Sequence, residues 1–262
     1  MNLDLTNRTA LVCGASRGLG LATATELALM GANVIAASRN EEKLRSVTEN
    51  FDTSKGQKHT FLVLDLSQPD KVIQTVSAFL AKGNSIHILV NNAGGPPSAP
   101  MIETDAAEIE KAFQTHLISS HILVQLVFPG MKAAGFGRIV NITSASVKQP
   151  INGLGISNLV RAAVANWAKT LANEISHYGI TVNNVLPGYT KTDRLDYLFS
   201  KQATAQGVDK ETIFSRMAAS IPIGRLGEAA EFGAAVAFLC SPAAAYINGI
   251  NLTVDGGRTG SL

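Results

Sequence analysis

The chain's 262 residues fall between one and two average domains, a length that single α/β domains reach. Its 22 Lys plus Arg against 20 Asp plus Glu leave a net charge of +2, which gives no electrostatic reason for a nucleic-acid or anionic-membrane partner. With 46% hydrophobic and 16% charged residues the composition excludes disorder and predicts a large core.

Short apolar runs alternate with longer stretches of helical period. A strand over 9–12 leads through a glycine-rich turn into a helix over 18–30, a strand over 33–37 precedes a helix over 41–50, and a strand over 60–64 precedes a helix over 69–82. Next come strand 86–90 and helix 106–132, strand 137–142 and helix 156–178, strand 181–186, helix 229–240 and a last strand over 251–254. This alternation predicts one α/β domain over 1–262, a doubly wound seven-stranded parallel sheet with helices on both faces.

Two stretches break the rhythm. Gly94-Gly95-Pro96-Pro97-Ser98-Ala99-Pro100 must be loop, because its prolines lack the backbone donors that regular structure needs. Residues 190–227 sit where open α/β sheets bind ligands, and they read either as a substrate lid carrying Leu195, Tyr197, Leu198, Phe199 and Met217 or as a plain surface excursion. The apolar stretch 232–247 is broken by Gly233, Ser241 and Pro242 and is shorter than the ~20 residues of a bilayer span, so no membrane association is expected. The start of the chain lacks the pattern of a secretory signal, so a cytoplasmic protein is expected. Cys13 and Cys240 are expected as buried thiols, and the histidines His59, His87, His121 and His177 make no ligand constellation, so no metal is expected.

The first turn carries the clearest chemistry. Gly14, Gly18 and Gly20 lie between an apolar run and a helical pattern, where glycine lets a pyrophosphate approach the main chain and the following helix offers unpaired N–H groups. About twenty residues on, where an NAD-binding fold usually has an acid for the ribose 2′-hydroxyl, the chain reads Ser38-Arg39-Asn40. Arg39 and Arg17 suit a 2′-phosphate instead, which points to NADP(H).

The Gly-x3-Gly-x-Gly spacing joins Asn91-Asn92-Ala93-Gly94 after the fourth strand, Gly137-Arg138-Ile139-Val140-Asn141-Ile142-Thr143-Ser144, Pro187-Gly188 and Val254-Asp255-Gly256-Gly257. In that order they resemble the short-chain dehydrogenase/reductase family, its 3-oxoacyl-carrier-protein reductases in particular, over nearly the whole chain. The resemblance implies a Rossmann-type fold and hydride exchange between NAD(P)H and a small-molecule carbonyl or alcohol. It implies cofactor contacts at Gly14, Ser16, Arg17, Gly18, Leu19 and Gly20, and at Ser38, Arg39 and Asn40. Further contacts are implied at Asp65 and Leu66, at Asn92, Ala93 and Gly94, at Arg161, and at Pro187, Gly188, Thr190 and Thr192. In the family the helices corresponding to 106–132 and 156–178 form the subunit contact. The second carries Leu159, Ala163, Trp167, Thr170, Leu171 and Ala172, so a homotetramer, or failing that a homodimer, is expected.

The chain departs from the family pattern where proton transfer takes place. Ser144 matches the family's active-site serine, but the positions of its Tyr, Lys and Asn hold Ser157, Arg161 and His116. A serine hydroxyl is less acidic and shorter than a phenol, and Arg161 can hold the cofactor ribose but, with a pKa above ~12, does not relay protons. Three replacements are available. His116, with a neutral-range pKa, would donate a proton directly or through water, or else be a structural histidine. Lys148 would donate a proton or bind an anionic group, or else be a solvated loop residue. Tyr189 would offer a phenol beside the nicotinamide, or else pack against it. The expected function is an NADPH-dependent carbonyl or 3-oxoacyl-type reductase with a substituted proton-transfer site. The alternatives are a non-catalytic binder of NADP and a ligand, acting as sensor or subunit, and a lyase or isomerase without net redox.

Overall fold

In the computed structural model, which describes residues 1–261, the strands are β1 (Thr9–Cys13), β2 (Asn33–Ser38), β3 (Thr60–Val63), β4 (Ile88–Asn91), β5 (Gly137–Ile142), β6 (Ile180–Pro187) and β7 (Asn251–Val254). The helices are α1 (Gly18–Leu29), α2 (Glu41–Glu49), α3 (Pro69–Leu80), α4 (Ala106–Phe113), α5 (Ser119–Ala133), α6 (Gly155–Ile175), α7 (Asp193–Gln206), α8 (Lys210–Ala219) and α9 (Ala229–Cys240). Strands β1, β2, β4, β5 and β6 are rich in Ala, Val, Ile and Leu and buried along nearly their whole length, which is what a parallel sheet covered by helices demands. In β1, Ala10 and Val12 join the core beneath α1, α2 and α9, built on Ala24, Leu27, Leu44, Phe232 and Val236. Leu11 and Cys13 join the opposite core beneath α3, α5 and α6, built on Val72, Val76, Leu123, Val127 and Ala168. The period of two along each strand thus assigns its side chains to two layers.

The strand order is β3-β2-β1-β4-β5-β6-β7 and every pairing is parallel. The order reverses beside β1, whose neighbours are β2 and β4, and a crevice opens there above the carboxyl ends of the strands. The Gly14 turn, Asn92 and Ser144 follow β1, β4 and β5, and Pro187 ends β6, so all four share that edge.

The structure corrects one expectation and gives form to a stretch left open. The continuous helix over 106–132 is broken by a π-helical turn at Gln114–Ile118, between α4 and α5. Its extra residue coincides with two hydroxyls seizing backbone carbonyls: Ser119 donates to Leu66 O (2.6 Å) and Ser120 to His116 O (2.8 Å). Residues 190–227, weakly periodic in sequence, form the helix pair α7 and α8. Thr192 caps α7 through Leu195 N, Gly207 ends it at φ 64°, and Asp209 caps α8 through Thr212 N. These helices gather a small core of Phe199, Ala203, Ile213, Ile221 and Leu226. Both cysteines are buried, and burial pushes each thiol up to about 12. Among the described residues no helix is long and apolar enough to cross a membrane, and no cluster of three or more His, Cys, Asp or Glu could hold a metal ion.

Candidate active site

After Cys13 the chain reverses through Gly14 at φ 65°, a conformation that strains any L side chain. A β-carbon there would also stand 2.5 Å from Asn92 Nδ2, which donates to Cys13 O at 3.2 Å and ties the end of β4 to the turn. Gly20 lets α1 sit directly on the turn, since a β-carbon at that position would lie 2.3 Å from Gly14 O. Arg17, at the N-cap of α1, is extended and makes no side-chain cap bond. The first N–H groups of α1 therefore stay open at the positive end of the helix dipole, an arrangement that fits a diphosphate. Thr192 stands opposite, its methyl 3.5 Å from where a Gly18 β-carbon would be.

At the end of β2, the Ser38 hydroxyl is half-buried and accepts from Asn40 N (3.4 Å). Asn40 caps α2 by accepting from Lys43 N (2.8 Å), so its side chain is already engaged, while Arg39 is exposed. No carboxylate occupies 38–40 to repel a phosphate. The nearby carboxylate, Asp65, accepts from Ser67 N, Ser67 Oγ and Gln68 Nε2. Burial acts to raise its pKa, but those bonds and the Arg39 charge hold it below the ordinary carboxylate range.

The other end of the crevice is built from side chains. The π turn carries His116 into the interior, where burial first and the Arg161 charge second lower its pKa to about 3. The expectation that His116 titrates near neutrality is therefore corrected: the ring is neutral at physiological pH and is no imidazolium donor. Arg161 is buried too, with Nη1 donating to Ile142 O (2.7 Å) and Nη2 to Ala93 O (3.4 Å), while among the described residues its Nε has no partner. Burial first and the Arg194 charge second lower it to about 10, so it remains a cation. His116, Arg161 and Asn91 line a cavity of about 10 Å³, and Asn91 Oδ1 is likewise unpartnered.

Asn91 is one end of an amide ladder that sequence reasoning missed. Asn91 donates to Asn141 (2.9 Å), Asn141 to Asn184 (3.0 Å) and Asn184 to Asn251 (2.8 Å), crossing β4 to β7 at residues paired in strand register. The available signal was an asparagine in four successive predicted strand regions. The ladder satisfies buried amides and locks the floor of the crevice.

Ser144 begins the turn after β5, and its Oγ accepts from Ser146 N (3.1 Å), which leaves its own proton free to donate. That turn packs against α6, which carries half-buried Ser157 one helical turn before Arg161. Lys148 is half-buried at the end of the same turn, its backbone N–H bonded to Ala145 O. Tyr189 is placed elsewhere. Its hydroxyl accepts from Arg258 Nη2 (3.2 Å), the Arg258 guanidinium lies 4.2 Å over its ring, and Phe199 packs edge-on. It lines a separate cavity of about 140 Å³ with Arg225, Glu228, Glu231 and Asp255. Of the two roles expected of Tyr189, a phenol beside the nicotinamide or a ring packed against it, the structure shows a ring held between Phe199 of α7 and Arg258 of the C-terminal segment.

A family model described as Enoyl-(Acyl carrier protein) reductase matches residues 14–259. A tropinone reductase homolog of Arabidopsis thaliana is 35% identical over 259 residues, covering 98% of this chain and 94% of that protein. The chain belongs to the short-chain dehydrogenase/reductase family. Among solved structures of this kind, L-sorbose reductase from Gluconobacter frateurii, complexed with NADPH and L-sorbose, superposes with a TM-score of 0.94 at 27% identity over the full length of both chains. A gluconate 5-dehydrogenase from Burkholderia cenocepacia, complexed with NADP and tartrate, gives 0.87 at 30% identity, covering 100% of this chain and 98% of that one. As a short-chain dehydrogenase/reductase, the protein keeps the Rossmann-type sheet and glycine turn, and it surrounds the crevice with Arg17, Arg39, Arg161 and Arg194.

Proposed function

We propose that the protein is an NADPH-dependent carbonyl reductase, or the alcohol dehydrogenase running in reverse, acting on a small soluble substrate. The observation that carries this reading is the uncapped start of α1 under the Gly14 turn, with Arg39 and no carboxylate at the end of β2. NADP(H) is the cofactor, in keeping with the sorbose and gluconate relatives crystallised with it. When bound, it supplies the hydride. Charge-assisted bonds from Arg39 and Arg17 select the 2′-phosphate. Arg161, at the position we assign to the family lysine, holds a fixed positive charge beneath the substrate oxygen and stabilises the negative charge that develops there. Ser144 Oγ donates to that oxygen. Ser157, at the position we assign to the family tyrosine, passes a proton from water, because neutral His116 and cationic Arg161 do not release one.

A second reading, a non-catalytic binder of NADPH and a ligand, is favoured by the same neutral His116. Fluorescence titration with NADPH and NADH, followed by NADPH consumption with L-sorbose and 5-oxogluconate, decides between them. Tighter NADPH binding with turnover supports the reductase; tighter binding without turnover on any carbonyl supports the binder; equal affinities for the two cofactors contradict both. The 190–227 helix pair acts as the substrate lid in this reading. We place the subunit contact of a tetramer or dimer on the faces of the π turn with α5 and of α6, where Ile118 and Leu159 are 43% and 40% exposed, and light scattering at micromolar concentration tests it.

A further inference from the structure

Two cations face one short loop in the crevice. Arg161 reaches Ala93 O from α6, and Arg194, in the first turn of the lid helix α7, lays its guanidinium over Gly95, with Nη2 3.4 Å from where a Gly95 β-carbon would be. The same loop forms the wall beside Ser157, since Gly155 N donates to Ala99 O at 3.1 Å. Among the described residues neither guanidinium has a carboxylate partner. The acids of α7 do not supply one: Asp196 pairs with Lys210, and Asp193 makes no ion pair. The mutual repulsion is one of the causes that lower Arg161, and a buried cation without a counter-charge is expensive to hold.

We propose that Arg194 determines substrate specificity by binding a carboxylate on the substrate, so that the enzyme acts on oxo or hydroxy acids. This rests on the reductase reading and names its substrate class. Arg194 is exposed on α7, so its guanidinium is accessible to meet the anion as a two-pronged fork, while the fixed charge of Arg161 behind the loop provides the field that attracts it. Leaving the pair unsatisfied in the free protein biases the site against neutral substrates, which give the two cations nothing in return.

The shared chemistry of an oxyanion also fits the cofactor diphosphate, and the experiment separates the two. Tartrate, gluconate and acetate are titrated calorimetrically into NADPH-saturated protein, with neutral erythritol as control, for the unsubstituted chain, Arg194→Met and Arg194→Lys. The expected result is binding of at least one carboxylate but not erythritol, weakened about tenfold or more in Arg194→Met and partly recovered in Arg194→Lys, with NADPH affinity changed less than about twofold. Weaker NADPH binding with unchanged carboxylate binding would assign Arg194 to the diphosphate and overturn the proposal, as would no carboxylate binding, or carboxylate binding indifferent to Arg194. If the unsubstituted protein fails to bind NADPH, the reductase reading falls instead, and the same Arg194 dependence is then required of carboxylate binding to the bare protein.

Discussion

The two ends of the crevice are made of different material. The β1–α1 turn works through backbone: left-handed Gly14, close-packed Gly20 and the open N–H groups of α1. The other end, where the π turn between α4 and α5 meets α6, works through buried side chains whose charge state is set by their surroundings, as with His116 lowered to about 3 and Arg161 lowered to about 10. A backbone site is fixed once the glycines are fixed, whereas a side-chain site can be rewired by burial alone.

Substitution at the backbone end should do the most damage. Gly20→Ala forces a β-carbon to within 2.3 Å of Gly14 O, so it should cost at least about 3 kcal/mol in NADPH binding or in stability, read by cofactor titration and thermal melting. At the other end, Arg161→Met should lower kcat by about 10²–10³ if the charge stabilises the developing oxyanion. Its melting temperature should stay level or rise, because a cation with an unpartnered Nε leaves the interior. The same loss in both stability and kcat would make Arg161 a structural residue. Arg39→Ala sharpens the cofactor end, weakening NADPH by about 1.5–3 kcal/mol and leaving NADH nearly unchanged.

Asn141→Ala probes the floor beneath both ends. It strips Asn91 Nδ2 of its acceptor and Asn184 Oδ1 of its donor, so it should destabilise by about 1–3 kcal/mol in denaturant unfolding. Near neutral pH the smallest effect belongs to His116→Gln. Because the folded pKa lies near 3 and the unfolded one near 6.5, the unfolded chain binds the extra proton between them. Stability from this group is complete above about pH 6.5 and is lost as pH falls toward 3; the variant should shed that part of the acid sensitivity without a change in kcat above neutrality.

These contrasts explain what could be read in advance. The sheet, the glycine turn and the missing acid at 38–40 depend on local pattern, and the strands at 137–142 and 251–254 lie where periodicity placed them. The π turn was hidden because 106–132 has unbroken helical period, and only contacts to Leu66 and within the turn reveal it. α7 and α8 were hidden because their apolar faces meet each other rather than the main core, leaving a weak stripe. His116 was legible as a pocket residue but not as a neutral one, since desolvation is a property of the packed interior. Arg258, which holds Tyr189, lies 69 positions away in the chain, beyond any local pattern.

The central claim is that bound NADPH is oxidised by a carbonyl without help from a titrating histidine. Single-turnover oxidation of protein-bound NADPH by an oxo acid, followed from about pH 5 to about pH 9 by nicotinamide fluorescence, tests it most directly. The expected rate shows no inflection near pH 6.5 and no change in His116→Gln. A rate that falls with a pKa near 6.5 and loses that inflection in His116→Gln would contradict it, placing a charged imidazole at the reacting oxygen after all.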